Sequence, residues 1–88
     1  MQFRGTLMGM VAVVFKVYPK DGEFDKMMSS VKKMNPAGMQ TEEIGFGIKV
    51  LKVLFKFEDK GGGTQKFEEE LRKQDGVGEV EVYEESLV

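Results

Sequence analysis

The alternation of strand-like and helix-like spacing within 88 residues constrains the fold more than any other feature of this sequence. Residues 10–18 are rich in β-branched and aromatic side chains, and every second position from Val11 to Val17 is apolar, as in a half-buried strand. Residues 24–34 change to helical spacing, with apolar side chains at intervals of three and four. A chain of this length buries a single core, so both segments must contribute to it.

The remainder of the chain continues the same pattern. Residues 39–44 are a weak, polar strand candidate, whereas residues 48–57 are the strongest strand candidate of the sequence. After the glycines at 61–63, Thr64 is expected to cap a second helix through its hydroxyl, and residues 77–83 alternate as a final strand. The order predicts an α+β fold, the ferredoxin-like βαββαβ sandwich, in which a four-stranded antiparallel sheet carries both helices on one face. Right-handed crossovers place the first and third strands at the centre of the sheet.

Residues 1–9 precede the first strand and lie outside this pattern. We therefore expect an N-terminal extension that need not be ordered, followed by one domain at residues 10–88. The N-terminus is too short and too polar for a signal peptide, and no apolar run approaches the roughly 20 residues that span a bilayer. The sequence thus predicts a cytoplasmic protein without a membrane partner.

Cysteine and histidine are both absent from the sequence. Disulfides, thiolate metal sites and imidazole catalysis are thereby excluded. Glu68, Glu69 and Glu70 cannot share one helix face, which disfavours a catalytic pair of carboxylates. The glycines at 61–63 lack the lysine of a phosphate-binding loop, so a plain loop is favoured there. We expect no catalytic residue, no cofactor and no metal ion.

The charge is distributed unevenly along the chain. The net charge is −2, which argues against a non-specific nucleic-acid binder. Residues 1–57 carry nine basic and five acidic side chains, and residues 58–88 carry four basic and ten acidic ones. Such asymmetry can orient a partner, and it can equally reflect a solvated acidic helix.

Three lysines fall on the predicted outward face of the central strands, namely Lys16, Lys52 and Lys56. The last strand, expected beside the first, offers Glu79 and Glu81 on the same face. Opposite charges on neighbouring strands stabilise a sheet modestly. We therefore expect these lysines to pair across strands, and only secondarily to form a binding patch.

Composition does not explain the segment Gly45-Phe46-Gly47. The alternation of the third strand, continued backwards, puts Phe46 on the face away from the helices, although a β-bulge at the glycines could reverse this. An exposed phenylalanine on a tight tip is typical of a protein-binding anchor. The alternative is that Phe46 folds down and covers one end of the core, and spacing alone leaves both possibilities open.

The residues Gly45-Phe46-Gly47-Ile48-Lys49 resemble the exchange domain of the archaeal elongation factor 1-beta family. The likeness includes Val14 to Pro19, Leu51, Phe57 to Lys60, Gly63-Thr64 and Phe67 to Leu71, and it spans roughly residues 10–88 in order. The resemblance implies a guanine-nucleotide exchange factor that promotes replacement of GDP by GTP on the GTPase elongation factor 1-alpha. It implies action by protein binding, without direct contact to nucleic acid.

The resemblance also implies which residues contact the GTPase. Phe46 is expected to insert into an apolar pocket of the GTPase, with Gly45, Gly47, Ile48 and Lys49 around it. The C-terminal residues Ser86, Leu87 and Val88 are expected to form a second contact. In eukaryotic members a lysine at this end approaches the magnesium site. The last basic residue here is Lys73, so the present chain departs from that pattern.

An RNA-recognition module on the same fold is the alternative function. Residues 44–51 overlay the RNP1 pattern of such modules, but only the Gly-Phe-Gly centre fits. Ile44 replaces the basic residue of the pattern, while Ile48 and Leu51 replace its aromatic residues, which stack on or flank the bases. A small-molecule-sensing domain of the same topology has no ligand motif to support it.

Overall fold

A computed structural model describes residues 9–59 and 61–87 of the chain. These residues form β1 (Met10–Pro19), α1 (Phe24–Lys32), β2 (Gly38–Gly45), β3 (Ile48–Glu58), α2 (Gly63–Arg72) and β4 (Val77–Leu87). The order of the elements confirms the predicted βαββαβ fold. The final strand is longer than the alternation at residues 77–83 predicts. Most of the expected N-terminal extension, residues 1–8, lies outside the described residues.

The four strands form one antiparallel sheet in the order β2-β3-β1-β4. β1 and β3 are the two central strands, as the crossover rule predicts. Their register sets Val13 opposite Phe55 and Phe15 opposite Val53, so that apolar side chains form continuous rows on the helix-bearing face. β4 lies on the far side of β1, and β2 lies on the far side of β3.

The apolar core lies between this sheet face and the two helices. The ring of Phe55 stacks on Phe67 of α2 with 4.5 Å between ring centres, and it meets Phe15 edge-on at 6.1 Å. Burying one such side chain contributes about 1.5–3 kcal/mol. The core comprises Val13, Phe15, Val17, Met27, Val31, Leu51, Val53, Phe55, Leu71, Val77 and Val80.

The predicted capping role of Thr64 is wrong. The residue that precedes α2 is Gly62, which has a left-handed backbone with φ of 76°, and no side chain of the described residues caps the helix there. The helix consequently starts at Gly63, two residues earlier than a Thr64 cap would allow. The Thr64 hydroxyl instead donates a hydrogen bond of 2.7 Å to the Glu85 carboxylate. This contact links the first turn of α2 to the last residues of β4.

Gly76, between α2 and β4, lies against the start of α1. Its carbonyl accepts a hydrogen bond of 2.8 Å from the Lys20 amide, and its own φ is 82°. A Cβ at this position would lie 2.7 Å from the Met27 nitrogen and 2.9 Å from the Glu23 oxygen. Both are backbone atoms of the α1 region, so neither can move aside cheaply.

We expect Gly76→Ala to lower the free energy of unfolding by about 2–4 kcal/mol, because backbone strain and a steric clash add at this position. Gly22→Ala is the matched control. Gly22 also has a positive φ, of 73°, but among the described residues no atom beyond its chain neighbours lies within 4 Å of its added Cβ. Strain alone should therefore cost about 1 kcal/mol. Urea unfolding of both variants measures the difference. Equal losses of unfolding free energy in the two variants would show that the close contact between Gly76 and α1 adds no cost of its own.

Candidate functional site

The hairpin between β2 and β3 closes through a turn of two residues, Phe46 and Gly47. Gly45 and Ile48 form the last pair of the two strands. The φ angles of Phe46 and Gly47 are 54° and 74°, and positive values at both positions are the mark of the type I′ turn, whose twist suits a hairpin. Glycine adopts this conformation freely, whereas phenylalanine does not.

Phe46 is strained and solvent-exposed at the same time. A non-glycine residue in the left-handed region costs roughly 1–2 kcal/mol. The Phe46 side chain is 103% exposed, so no contact within the described chain offsets this cost. The possibility that Phe46 covers the core is therefore wrong, and the outward position is correct. Strain that the fold does not require indicates a role in contact with another molecule.

Two isoleucines accompany Phe46 at the tip. Ile48 is 51% exposed and Ile44 is 49% exposed, so the three residues form one apolar tip cluster. Ile44 is the extra residue of a β-bulge, because the strand register passes from Glu43 opposite Lys49 directly to Gly45 opposite Ile48. Sequence reasoning missed Ile44. The signal available was an isoleucine at the end of an otherwise polar strand candidate.

Lys49 connects the hairpin with α1. Its side chain reaches over the Phe24 ring, with Nζ 5.8 Å from the ring centre, which is within cation–π range. Phe24 is the first residue of α1 and packs partly against the core. The expected site residues Gly45 to Lys49 are therefore contiguous at one end of the sheet, and they are held against the start of a helix.

The other expected contact residues lie at the opposite end of the sheet. Leu87 is paired with Val11, and Ser86 with Ala12, at the beginning of β1. Antiparallel β1 runs from that end toward the tip, so the tail and the tip are separated by the length of the sheet, about 30 Å for ten strand residues. Leu87 is well exposed. Val88 lies outside the described residues.

For Lys16 and Lys52, the predicted pairing with the acidic side chains of β4 is wrong, because their partner is on β2. Lys16 does lie opposite Glu81 in the register, but its ammonium group pairs with Glu42 of β2 at 3.8 Å. Lys52 pairs with the same carboxylate at 3.8 Å. Tyr83 accounts for the difference, because both ammonium groups lie over its ring, at 4.8 Å and 4.5 Å from the centre.

Tyr83 reaches this position through a β-bulge. The register steps from Val14 opposite Glu84 to Phe15 opposite Val82, which leaves Tyr83 as the extra residue. Glu81 is then free to accept a hydrogen bond of 3.2 Å from the Tyr18 hydroxyl. Partial burial and, after it, this hydrogen bond raise the pKa of Tyr18 above its usual value. Lys16 and Lys52 are thus engaged within the sheet.

The geometry removes the basis of the RNA-recognition alternative. In such modules the RNP1 residues lie on a central strand and present aromatic rings from the sheet. Here Gly45-Phe46-Gly47 closes a hairpin instead of crossing the sheet. Two of the three lysines on the open face, Lys16 and Lys52, are paired with Glu42.

Neither a metal site nor a membrane span is found in the part of the chain that the structure describes. No group of three or more acidic side chains at residues 9–59 and 61–87 could hold a metal ion. Within the same residues, no helix is long and apolar enough to cross a membrane. The chemistry that the tip offers is non-covalent: an apolar anchor, a rigid turn and one adjacent ammonium group.

Comparison with known proteins agrees with these features. The EF-1 guanine nucleotide exchange domain family matches residues 12–87. The elongation factor 1-beta of Methanosphaerula palustris is 37% identical over 84 residues, which cover 91% of this chain and 99% of that protein. The elongation factor 1-beta of Aeropyrum pernix is 41% identical over 83 residues, covering 85% of this chain and 92% of that protein. That of Thermoplasma acidophilum is 34% identical over 88 residues, covering 92% and 100% respectively.

Because asparagine is the residue that a type I′ turn prefers, Phe46→Asn should leave the fold intact. We expect the free energy of unfolding to stay the same or to rise by up to about 1 kcal/mol as the strain is relieved. Urea unfolding monitored by circular dichroism measures the change. A loss of more than about 1 kcal/mol would mean that Phe46 stabilises the fold through contacts that its exposure does not indicate.

Proposed function

The chain belongs to the family of EF-1 guanine nucleotide exchange domains, and we propose that its tip cluster is the part that engages the GTPase elongation factor 1-alpha. The function of the chain is to promote the exchange of GDP for GTP on that GTPase. The exchange returns the GTPase to the form that carries aminoacyl-tRNA. Residues 10–88 are proposed to act as the exchange domain, in the cytoplasm where translation takes place.

One observation carries the assignment of the tip. Phe46 combines a left-handed backbone with complete exposure, so the fold neither needs the phenylalanine nor benefits from it. Enclosing a phenylalanine ring in an apolar pocket contributes about 1.5–3 kcal/mol. The two-residue turn holds the ring in place before binding, which keeps the entropic cost of ordering it small. Ile44 and Ile48 extend the apolar contact on either side.

Exchange of this kind follows from linkage. A factor that binds the nucleotide-free GTPase more tightly than the nucleotide-bound form must, by reciprocity, weaken nucleotide binding. Magnesium and backbone amides hold the phosphates in GTPases, so a disturbance of that region speeds release. No covalent step is required of the exchange factor. We propose that the chain acts through protein–protein contact alone, with no cofactor and no catalytic residue.

The C-terminal residues Ser86, Leu87 and Val88 are proposed as a second contact with the GTPase. The Thr64–Glu85 hydrogen bond of 2.7 Å fixes the strand just before them. Ser86 and Leu87 are uncharged, so these two cannot displace a magnesium ion electrostatically. Their contribution would be steric and apolar, made about 30 Å from the tip along the sheet.

Replacement of Phe46 by alanine tests the tip assignment. We expect Phe46→Ala to lower kcat/KM for release of a fluorescent GDP analogue from elongation factor 1-alpha about 30-fold, equivalent to about 2 kcal/mol of lost binding. The stability of the fold should be unchanged. Val82→Ala, which trims an apolar side chain that is 40% exposed away from the tip, serves as the control and should exchange normally. Normal exchange by the Phe46 variant would refute the assignment.

The separation of tip and tail predicts independent effects. Leu87→Ala should reduce exchange less than Phe46→Ala does, and the double variant should lose the sum of the two free energies within about 0.5 kcal/mol, because distant sites add. The same fluorescence assay on the four proteins of the double-mutant cycle measures this. A coupling energy well above that value would indicate that both ends act on one element of the GTPase. No effect of Leu87→Ala would remove the tail from the contact.

A further inference from the structure

A groove of about 620 Å3 lies directly beside the tip turn. One wall is formed by the turn residue Gly47 together with Ile48 and Lys49 at the start of β3. The other is formed by Pro19 at the end of β1 and by residues 20–22 of the β1–α1 loop. Phe24 and Asp25, at the start of α1, also line it. We call this the tip groove. Three of its lining residues belong to the hairpin already assigned to the GTPase contact, so the tip groove and Phe46 share one surface.

Resting on the proposed function, we propose that the tip groove is the second part of the GTPase contact and receives a segment of elongation factor 1-alpha bearing an apolar and an acidic side chain. A pocket that encloses Phe46 must surround its ring. The binding partner is thereby brought over Gly47 and Ile48, which border the groove. Contacts around a buried anchor exclude water from it. The surface beside Phe46 therefore contributes to the binding energy of Phe46.

The loop wall of the groove is rigid before binding. The Lys20 amide donates a hydrogen bond of 2.8 Å to the Gly76 carbonyl, and the Glu23 amide donates one of 2.9 Å to the Lys20 carbonyl. Gly76 in turn lies against the backbone of α1, where a Cβ would not fit. Hydrogen bonds and the close packing of Gly76 hold this wall in place before binding. Binding to such a preformed surface costs little conformational entropy.

The lining of the groove combines apolar side chains with four charged ones. Pro19, Phe24 and Ile48 supply the apolar surface. Lys20, Asp21, Asp25 and Lys49 line the groove as well, and none of the four forms a salt bridge within residues 9–59 and 61–87.

The chemistry of the occupant follows from the surroundings of these charges. Asp25 lies in the first turn of α1, where the helix dipole already favours a negative charge. Asp21 follows Lys20 on the loop wall, so these two charges largely offset each other. The Lys49 ammonium group lies over the Phe24 ring, and this cation–π contact offsets only part of its charge. An acidic side chain that enters beside an apolar one would meet this ammonium group, with Lys20 on the opposite wall. We therefore infer an acidic rather than a basic occupant.

Hydrogen exchange locates the contact. The amides of the full chain are compared alone and with nucleotide-free elongation factor 1-alpha. We expect slower exchange at residues 20–25 together with residues 45–49. Slower hydrogen exchange confined to residues 45–49 would show that the tip groove is not part of the contact, while Phe46 would remain the anchor. If no segment is protected and GDP release is not accelerated either, the proposed function itself fails, which is a distinguishable result.

Neutralising the two lysines tests the charge of the occupant. Lys20→Gln and Lys49→Gln should each lower kcat/KM for GDP release about 3–10-fold at low salt, and should flatten its dependence on salt concentration. Lys33→Gln, beyond the far end of α1, is the matched control and should leave both unchanged. If the Lys20 and Lys49 variants release GDP at an unaltered or higher rate, the inference of an acidic occupant is wrong. Urea unfolding of each variant separates a loss of contact from a loss of fold.

Discussion

β1 and β3 pair over eight positions, from Met10 opposite Glu58 to Val17 opposite Leu51, and their inward side chains supply most of the core. Because side chains alternate between the two faces of a strand, a slip of one residue would move every apolar side chain to the wrong face. The apolar rows therefore fix the register. The register in turn fixes where β2 turns back into β3 and where β4 ends, and so it determines the positions of the tip and the tail.

Periodicity was sufficient to predict the order of the elements and the central position of β1 and β3, because burial of apolar rows determines both. Periodicity gave wrong predictions where local backbone geometry determines the position of a side chain. The left-handed Gly62 lets α2 begin at Gly63, so that Thr64 lies inside the first turn and not at the predicted capping position. The bulge at Tyr83 brought an aromatic ring between two lysines and redirected them to Glu42. Neither a left-handed glycine nor a bulge has a periodicity that could be recognised.

Phe46 illustrates the same limit at the candidate site. Spacing placed it near the tip, but its exposure depends on a two-residue turn and on a bulge at Ile44, which parity arguments cannot resolve. Asparagine at this position would adopt the turn conformation with less strain. A fold that keeps an aromatic ring in a strained, exposed position sacrifices stability there. Here that loss of stability coincides with a segment that resembles the exchange-domain family.

The separation of tip and tail has a consequence for selectivity. A hydrogen-bonded sheet does not stretch, so the chain is a spacer of fixed length between its two ends, about 30 Å apart. A GTPase that touches both ends must present its two receiving surfaces at that spacing. Any nucleotide-driven rearrangement that alters the spacing would release one end and weaken the complex. The fixed length of the sheet would then make binding depend on the conformation of the GTPase. The factor would dissociate once nucleotide exchange is complete.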